Sequence, residues 1–227
     1  QQIRQFSGDV SHELKTPLAE LKCNAEVALR SPRMQEEYQQ TLQNIVEDVE
    51  HLQKIVEDLL LLARMDSHSQ TFAFNHLALH EVFLEVFEHA HPLANQKGLA
   101  LEFQDMEHVT INGDSGLLKQ VFTNLISNAI RYTPAGGKIT FSLRKQEDVA
   151  VVTIADTGIG IPKEALPSIF DRFYRVEQSR SQETGGSGLG LAIAQHIVKA
   201  HGGDIEVRSI VDRGTTVQVF LPYGVSH

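Results

Sequence analysis

A histidine beside a glutamate, near the start of the chain, is the first pair of residues able to do chemistry. Near pH 7 a neutral imidazole such as that of His12 is a nucleophile, and the carboxylate of Glu13 can take up its proton. On a helical wheel His12 lies about 200° from Val10, and Thr16 lies about 40° further on. Both side chains therefore face away from the apolar stripe of that helix, and we expect the imidazole to be exposed. Because the chain has 11 histidines, this position alone would favour a solvated surface residue.

A second set of residues, in the later part of the chain, suits a nucleotide and its metal ion. Asn124 and Asn128 are four residues apart, so on a helix both amides face one side, where a carbonyl oxygen can ligate a hard cation such as Mg²⁺. Asp156 ends an apolar strand, where a carboxylate is costly to bury without a donor. Glycines alternate over 186–190 just before another helix, and their amides can bind phosphate. No lysine follows them and no strand leads into them, so this is neither a P-loop nor a dinucleotide fingerprint.

The elements that position the histidine are two long amphipathic helices, which the sequence predicts from Gln1 to about Asp66. A break at 31–33 contains a proline and separates them. Apolar residues of the second helix alternate three and four apart from Leu42 to Ala63. Because two helices bury only part of such stripes, we predict a homodimer in which two hairpins form a four-helix bundle.

The rest of the chain predicts a mixed α and β domain over residues 72–227, joined to the hairpin (1–66) by a linker at 67–71. Helices are expected on one face of a mixed sheet. The predicted helices are 79–97, a segment around Leu117 to Ile126, and 189–200. The predicted strands are 99–103, 109–111, 138–144, 149–155, 204–208 and 216–221.

Charge and composition exclude some classes of protein. The formal net charge is −9 and no run of lysine or arginine occurs, which argues against a nucleic-acid partner. The single cysteine, Cys23, cannot form an intrachain disulfide and indicates a reducing compartment such as the cytoplasm. No segment reaches the roughly 20 apolar residues that span a bilayer. Since Gln1 lies inside an amphipathic pattern without a cap, we expect further chain upstream.

Five segments resemble, in order, the conserved boxes of the sensor histidine kinases of two-component systems. They are the phosphoacceptor box FSGDVSHELKTPL (6–18), the N box NLISNAIRYTP (124–134), the first glycine box DTGIGIP (156–162), the F box IFDRFYR (169–175) and the second glycine box GGSGLGLAI (185–193). Together they span nearly the whole chain. The resemblance implies the cytoplasmic catalytic core of such a kinase: an all-α dimerisation hairpin followed by an α+β sandwich of the histidine kinase and Hsp90-type ATPase fold.

The resemblance also implies a role for each matching residue. His12 would receive the γ-phosphoryl group of ATP, Glu13 would act as general base, and Thr16 would help to place a water during phosphatase action. Asn128 would ligate Mg²⁺, and Asp156 would select adenine through its exocyclic amine. The nucleotide-binding residues implied are Asn124, Asn128, Arg131, Tyr132, Asp156, Gly158, Gly160, Gly186, Gly188, Leu189, Gly190 and Thr215.

The implied function is ATP-dependent autophosphorylation of His12, followed by transfer to an aspartate of a response regulator. The full-length protein is then expected in the bacterial inner membrane, anchored through an N-terminal sensor. Some alternatives for single residues stay open: Asn124 as a helix-surface or capping residue, Thr215 as a plain strand residue, and the F-box aromatics as core residues.

Two rival functions are also considered. The first is an ATPase or serine kinase of the wider superfamily, but such a protein would not need the HELKTP helix. The second is a non-catalytic dimeric scaffold, and the intact boxes argue against it.

Overall fold

The computed structural model describes residues 2–30, 34–66, 72–176 and 187–223. The chain divides into two compact units, Gln1–Arg64 and Met65–His227. The predicted linker at 67–71 lies outside the described residues.

The first unit is the predicted helical hairpin. Helix α1 covers Gln2–Leu29 with Pro17 inside it, and α2 covers Gln35–Asp66. Between the two helices, the Asn24 amide donates a hydrogen bond to Asp48 at 3.4 Å. Among the described residues, no helix combines the length and apolar character needed to cross a bilayer.

The apolar residues of α2 differ in exposure. Ile55 and Leu62 are fully buried. On another flank of the helix, within the predicted stripe, Leu42 is 61% exposed and Val49 is 40% exposed. A single copy of the chain therefore leaves this flank in contact with solvent, at a cost of roughly 25 cal/mol per Å² of apolar surface.

The second unit combines seven strands and three α-helices within its described residues. In chain order these are β1 (Asn75–Ala78), α3 (Leu79–Gln96), β2 (Ala100–Met106), β3 (Thr110–Gly113), α4 (Ser115–Tyr132), β4 (Lys138–Gln146), β5 (Val149–Asp156), a short 3₁₀ turn (Leu166–Ser168), α5 (Gly190–Ala200), β6 (Asp204–Ile210) and β7 (Gly214–Pro222). The predicted helices and strands are confirmed, with boundaries that differ by a few residues.

Five of these strands form a mixed sheet in the order β2-β4-β5-β7-β6, and β1 pairs with β3 in a separate two-stranded sheet. Strands β2 and β4 are parallel, and the other neighbours are antiparallel. The helices bury their apolar stripes against one face of the sheet. Phe83 of α3, Phe122 of α4 and Phe141 of β4 are fully buried there. The rings of Phe83 and Phe122 meet edge to face, with centroids 5.0 Å apart. The predicted α+β sandwich is thus confirmed.

A buried histidine joins the end of α5 to the start of α4. His201 Nδ1 bonds to the carbonyl oxygen of Ile197 at 2.8 Å, and its Nε2 accepts the Asp114 N–H at 3.0 Å. The side chain of Asp114 in turn caps α4 by accepting from Leu117 N at 3.1 Å. One nitrogen must donate and the other accept, so the ring has to be neutral. Burial lowers the pKa of His201, against the opposing effects of Ile197 and Asp114.

This arrangement predicts a stability that falls in mild acid. In the unfolded chain His201 takes up a proton near pH 6.5, whereas in the folded protein its pKa is lower. The free energy of unfolding therefore falls as the pH drops below about 6.5. The slope from this one group is at most about 1.4 kcal/mol per pH unit. Urea unfolding of His201→Gln from about pH 7.5 to 5.5 should show a weaker pH dependence than the wild-type protein, on a stability already lowered by about 1–3 kcal/mol.

The control is His89→Gln, because the exposed His89 also bonds to a carbonyl four residues earlier, at 2.7 Å, without being buried. This variant should keep the wild-type pH dependence. If the stability of His201→Gln and of the wild-type protein fell in parallel as the pH was lowered, a group other than His201 would be responsible for the pH dependence.

Candidate active site

Helix α4 supplies the predicted asparagines, and they lie in different environments. Asn124 is only 5% exposed, and its Nδ2 donates to the carbonyl oxygen of Gly190 at 3.1 Å. This bond fixes the start of α5 against α4. Asn128, one turn later, is half-buried, and its side chain makes no hydrogen bond within the described part of the chain. Its amide oxygen is therefore available to a hard cation, and Asn128 fits the role of a Mg²⁺ ligand better than Asn124 does.

The C-terminal end of α4 carries Arg131, which is half-buried, and Tyr132, which is 42% exposed. Lys97, from the turn after α3, donates through Nζ to the carbonyl oxygens of Ile130 at 2.8 Å and Arg131 at 2.7 Å. Its positive charge also compensates the partial negative charge at this helix end. Burial, and then the nearby Arg131 guanidinium, lower the pKa of Lys97. Sequence reasoning missed this residue, because a lysine before Gly98 looks like a solvated cation at a helix end.

Asp156, at the end of β5, uses one carboxylate oxygen for hydrogen bonds to the backbone and leaves the other oxygen for a ligand. Its Oδ1 accepts the N–H of Gly158 at 2.8 Å and the N–H of Thr215 at 3.1 Å. Within the described residues, Oδ2 makes no hydrogen bond. Burial raises the pKa of the Asp156 carboxyl, and the two N–H bonds oppose that rise. The geometry suits an acceptor that takes one hydrogen bond from a ligand.

The first glycine segment is fixed against both α4 and the β6–β7 hairpin. Ile159 N donates to the Tyr132 carbonyl at 3.1 Å, and Asp212 N donates to the Ile159 carbonyl at 2.8 Å. Gly160 has φ +69°, and a Cβ there would collide with the carbonyl of Ile210. A side chain at this position would push the segment away from the hairpin, so glycine is required by both conformation and space.

The second glycine segment is fastened to the F box. Phe173 N donates to the Gly188 carbonyl at 3.0 Å, and Gly188 has φ +67° with no room for a Cβ beside the Phe173 backbone. Leu189 is fully buried and so anchors the segment in the core, while Gly190 opens α5. Gly186 lies outside the described residues, as does most of the polar stretch after Arg175.

The phosphoacceptor box lies on α1, in the first unit. The backbones of His12 and Glu13 are part of that helix, but their side chains lie outside the described residues, so the exposure of His12 stays a prediction. Thr16 is exposed, as the helical wheel indicates, and Pro17 is buried.

The second unit thus brings together the predicted residues of α4, the end of β5, the first glycine segment, the described part of the second (187–190) and Thr215 of β7. Direct hydrogen bonds link them in pairs, Asn124 to Gly190 and Asp156 to both Gly158 and Thr215. The histidine pair belongs to the other unit.

Comparison with known proteins matches each unit to a described family. Residues 2–68 match the His Kinase A (phospho-acceptor) domain, and residues 113–225 match the histidine kinase-, DNA gyrase B- and HSP90-like ATPases. The chain is 38% identical over 217 residues to the sensor histidine kinase CusS of Escherichia coli, covering 96% of this chain and 45% of CusS. It therefore spans about half the length of the curated relatives it matches.

Solved structures agree with this assignment. Full-length ShkA in complex with AMPPNP aligns with a TM-score of 0.72 and 26% identity, over 98% of this chain and 46% of ShkA. Histidine kinase ThkA, in complex with the response regulator TrrA, shares the fold with a TM-score of 0.77 and 22% identity, over 97% of this chain and 61% of that one. The chain belongs to the sensor histidine kinases of two-component systems, and it carries the phosphoacceptor and ATPase domains that form their catalytic core.

Proposed function

We propose that this chain binds ATP in the second unit, phosphorylates His12 of the hairpin and passes the phosphoryl group to an aspartate of a response regulator. The observation that carries the proposal is the Asp156 carboxylate, which is held through Oδ1 and offers Oδ2 beside two glycine segments. Such a site selects a base that presents an amino group. The phosphoacceptor family match over residues 2–68 supports His12 as the acceptor.

The roles of the individual residues follow from their environments. Asp156 accepts a hydrogen bond from the adenine amine, and Thr215 lies next to the Asp156 carboxylate. Asn128 holds Mg²⁺, which when bound neutralises charge on the phosphate oxygens. Arg131 offers a planar guanidinium that donates in pairs to phosphate.

In the proposed reaction a ring nitrogen of His12 bonds to the γ-phosphorus of ATP while the bond to the bridging oxygen breaks, and ADP leaves. Glu13 accepts the imidazole proton. In a separate phosphatase reaction, Thr16 helps to place the water that attacks the phosphoryl group. The remaining nucleotide contacts proposed are Asn124, Tyr132, Gly158, Gly160, Gly186, Gly188, Leu189 and Gly190.

We also propose that the chain acts as a homodimer. The support is the exposed flank of α2, where Leu42 and Val49 would be covered by a second hairpin. The full-length protein is proposed to be anchored in the bacterial inner membrane through an upstream sensor, with residues 67–71 as the joint between domains 1–66 and 72–227.

The acceptor is tested by labelling. Incubation with Mg²⁺ and γ-labelled ATP should give an acid-labile, alkali-stable phosphoprotein, because phosphoramidate bonds hydrolyse in acid. His12→Ala should abolish the label, whereas His89→Ala, at an exposed histidine of the second unit, should keep it. Label that survives His12→Ala would assign the acceptor elsewhere, and nucleotide binding without any label would favour a scaffold.

The nucleotide site is tested by Asp156→Asn. The variant loses a charged acceptor for the adenine amine, so ATP affinity should fall about 10- to 100-fold. Stability should not fall with it. Because the pKa of Asp156 is raised, the folded protein binds the proton more tightly than the unfolded chain, and ionisation above that pKa destabilises the fold. Removing this charge should therefore preserve or raise the urea midpoint at neutral pH.

Displacement of a fluorescent nucleotide measures the affinity. Asp212→Asn is the matched control, because Asp212 is an exposed aspartate at the tip of the β6–β7 hairpin. It should leave affinity unchanged. Equal ATP affinity in Asp156→Asn and the wild-type protein would remove Asp156 from the site.

The dimer is tested on the exposed flank of α2. The double variant Leu42→Lys, Val49→Lys places two charges where a second hairpin would pack, so dimer dissociation should rise at least about tenfold. Sedimentation over a range of protein concentrations would show it. Gln43→Lys adds a charge on another side of the same helix and should leave the dimer intact. A double variant that stays dimeric would place the interface elsewhere.

A further inference from the structure

Ser209, on β6, lies where the first glycine segment meets the strand that carries Thr215. Its Oγ makes three hydrogen bonds: to Ile161 N at 2.8 Å, to the Gly214 carbonyl oxygen at 3.0 Å, and to Thr215 Oγ1 at 2.8 Å. A hydroxyl has one proton and two lone pairs, so three bonds use its whole capacity. Ser209 is half-buried and belongs to none of the five sequence boxes.

The direction of each bond follows from the chemistry of the partners. The Ile161 N–H can only donate, so it takes one lone pair of Ser209. The Gly214 carbonyl can only accept, so it takes the Ser209 proton. The third bond then needs a proton from Thr215, whose hydroxyl must donate to Ser209.

The three bonds of Ser209 fix what the Thr215 hydroxyl can offer to a ligand. With its proton directed at Ser209, Thr215 Oγ1 presents lone pairs alone. The backbone N–H of the same residue donates to Asp156 Oδ1, which places the Asp156 carboxylate next to Thr215. Asp156 Oδ2 is also an acceptor when the carboxyl is ionised. The edge formed by Asp156 and Thr215 therefore accepts hydrogen bonds and donates none.

We infer that Ser209 determines base specificity at the proposed nucleotide site, by holding the Thr215 hydroxyl as an acceptor. The inference rests on the proposed function. A base with an amino group at this edge, such as adenine, finds acceptors. A base with a carbonyl oxygen at the same position, such as hypoxanthine, places an acceptor against these acceptors, so no hydrogen bond can form. Ser209 is thus a positioning residue that acts through Thr215.

A purely structural role is the alternative, because the same hydroxyl ties Ile161 of the first glycine segment to β6. That role would lower the affinity for every nucleotide by the same factor. Positioning changes the ratio between nucleotides, because a released Thr215 hydroxyl can turn its proton toward the carbonyl oxygen of hypoxanthine. The ratio therefore separates the two roles.

The experiment compares ATP with inosine triphosphate as phosphoryl donors for labelling of the full chain. The wild-type protein should prefer ATP. In Ser209→Ala the ATP-to-ITP ratio of kcat/KM should narrow about tenfold, through KM with kcat nearly unchanged, because one hydrogen bond changes direction at the base. Ser209→Thr keeps the hydroxyl and should restore the ratio. Ser142→Ala, which removes a serine hydroxyl from β4 of the same sheet, should not change it.

A double-variant cycle makes the coupling explicit. In a Thr215→Val background no hydroxyl remains to be oriented, so adding Ser209→Ala should leave the ratio unchanged. Ser209→Cys is the second variant if Ser209→Ala fails to fold, since a thiol keeps the volume and bonds weakly; it should narrow the ratio too.

The outcomes separate the role of Ser209 from the proposed function. Absence of ATP binding in the wild-type protein would overturn the proposed function itself. Wild-type discrimination that persists in Ser209→Ala, with equal losses for both nucleotides, would overturn the role of Ser209 and leave the proposed function standing.

Discussion

The Asp156 carboxylate is the constraint around which the second unit is organised. Burial makes its charge costly, and two backbone N–H groups offset part of that cost. One comes from Gly158, two residues along the chain, but the other belongs to Thr215 on a different strand. The pair forms only when β5 and β7 lie side by side, and when Gly214 lets the two backbones approach without a Cβ between them. Pairing of the sheet and preparation of the site are therefore one event.

Helix α4 likewise links the packing of the core to the position of polar side chains. Its apolar stripe fills the core, which fixes the rotation of the helix and so the direction of its polar residues. The Asn124 amide donates to the Gly190 carbonyl and sets the start of α5. The Asn128 side chain makes no hydrogen bond within the described residues, which fits the proposed Mg²⁺ ligand. Lys97 holds the far end through two carbonyl oxygens. Neighbouring polar residues of one helix thus divide into those that bond to other elements and those that the proposed site would use.

The sequence predicts the elements well because their signals are local. Spacing of three and four residues indicates the hairpin helices, and alternation indicates the strands of the sheet. The strand order β2-β4-β5-β7-β6 does not follow from such patterns, since it depends on pairing between distant segments. Lys97 and Ser209 were missed for the same reason. Each is an ordinary residue type whose role arises from a bond to a backbone 33 or 48 positions away.

The apolar pattern of α2 predicts more buried surface than a single copy of the chain provides. A stripe with three- and four-residue spacing predicts a buried face, but it does not say how wide that face is. In α2 Ile55 and Leu62 are buried, and the flank with Leu42 and Val49 is left exposed. In the proposed dimer, this flank adds its stability only when another copy is present. The free energy of the first unit then depends on protein concentration, because association stabilises the folded form by mass action.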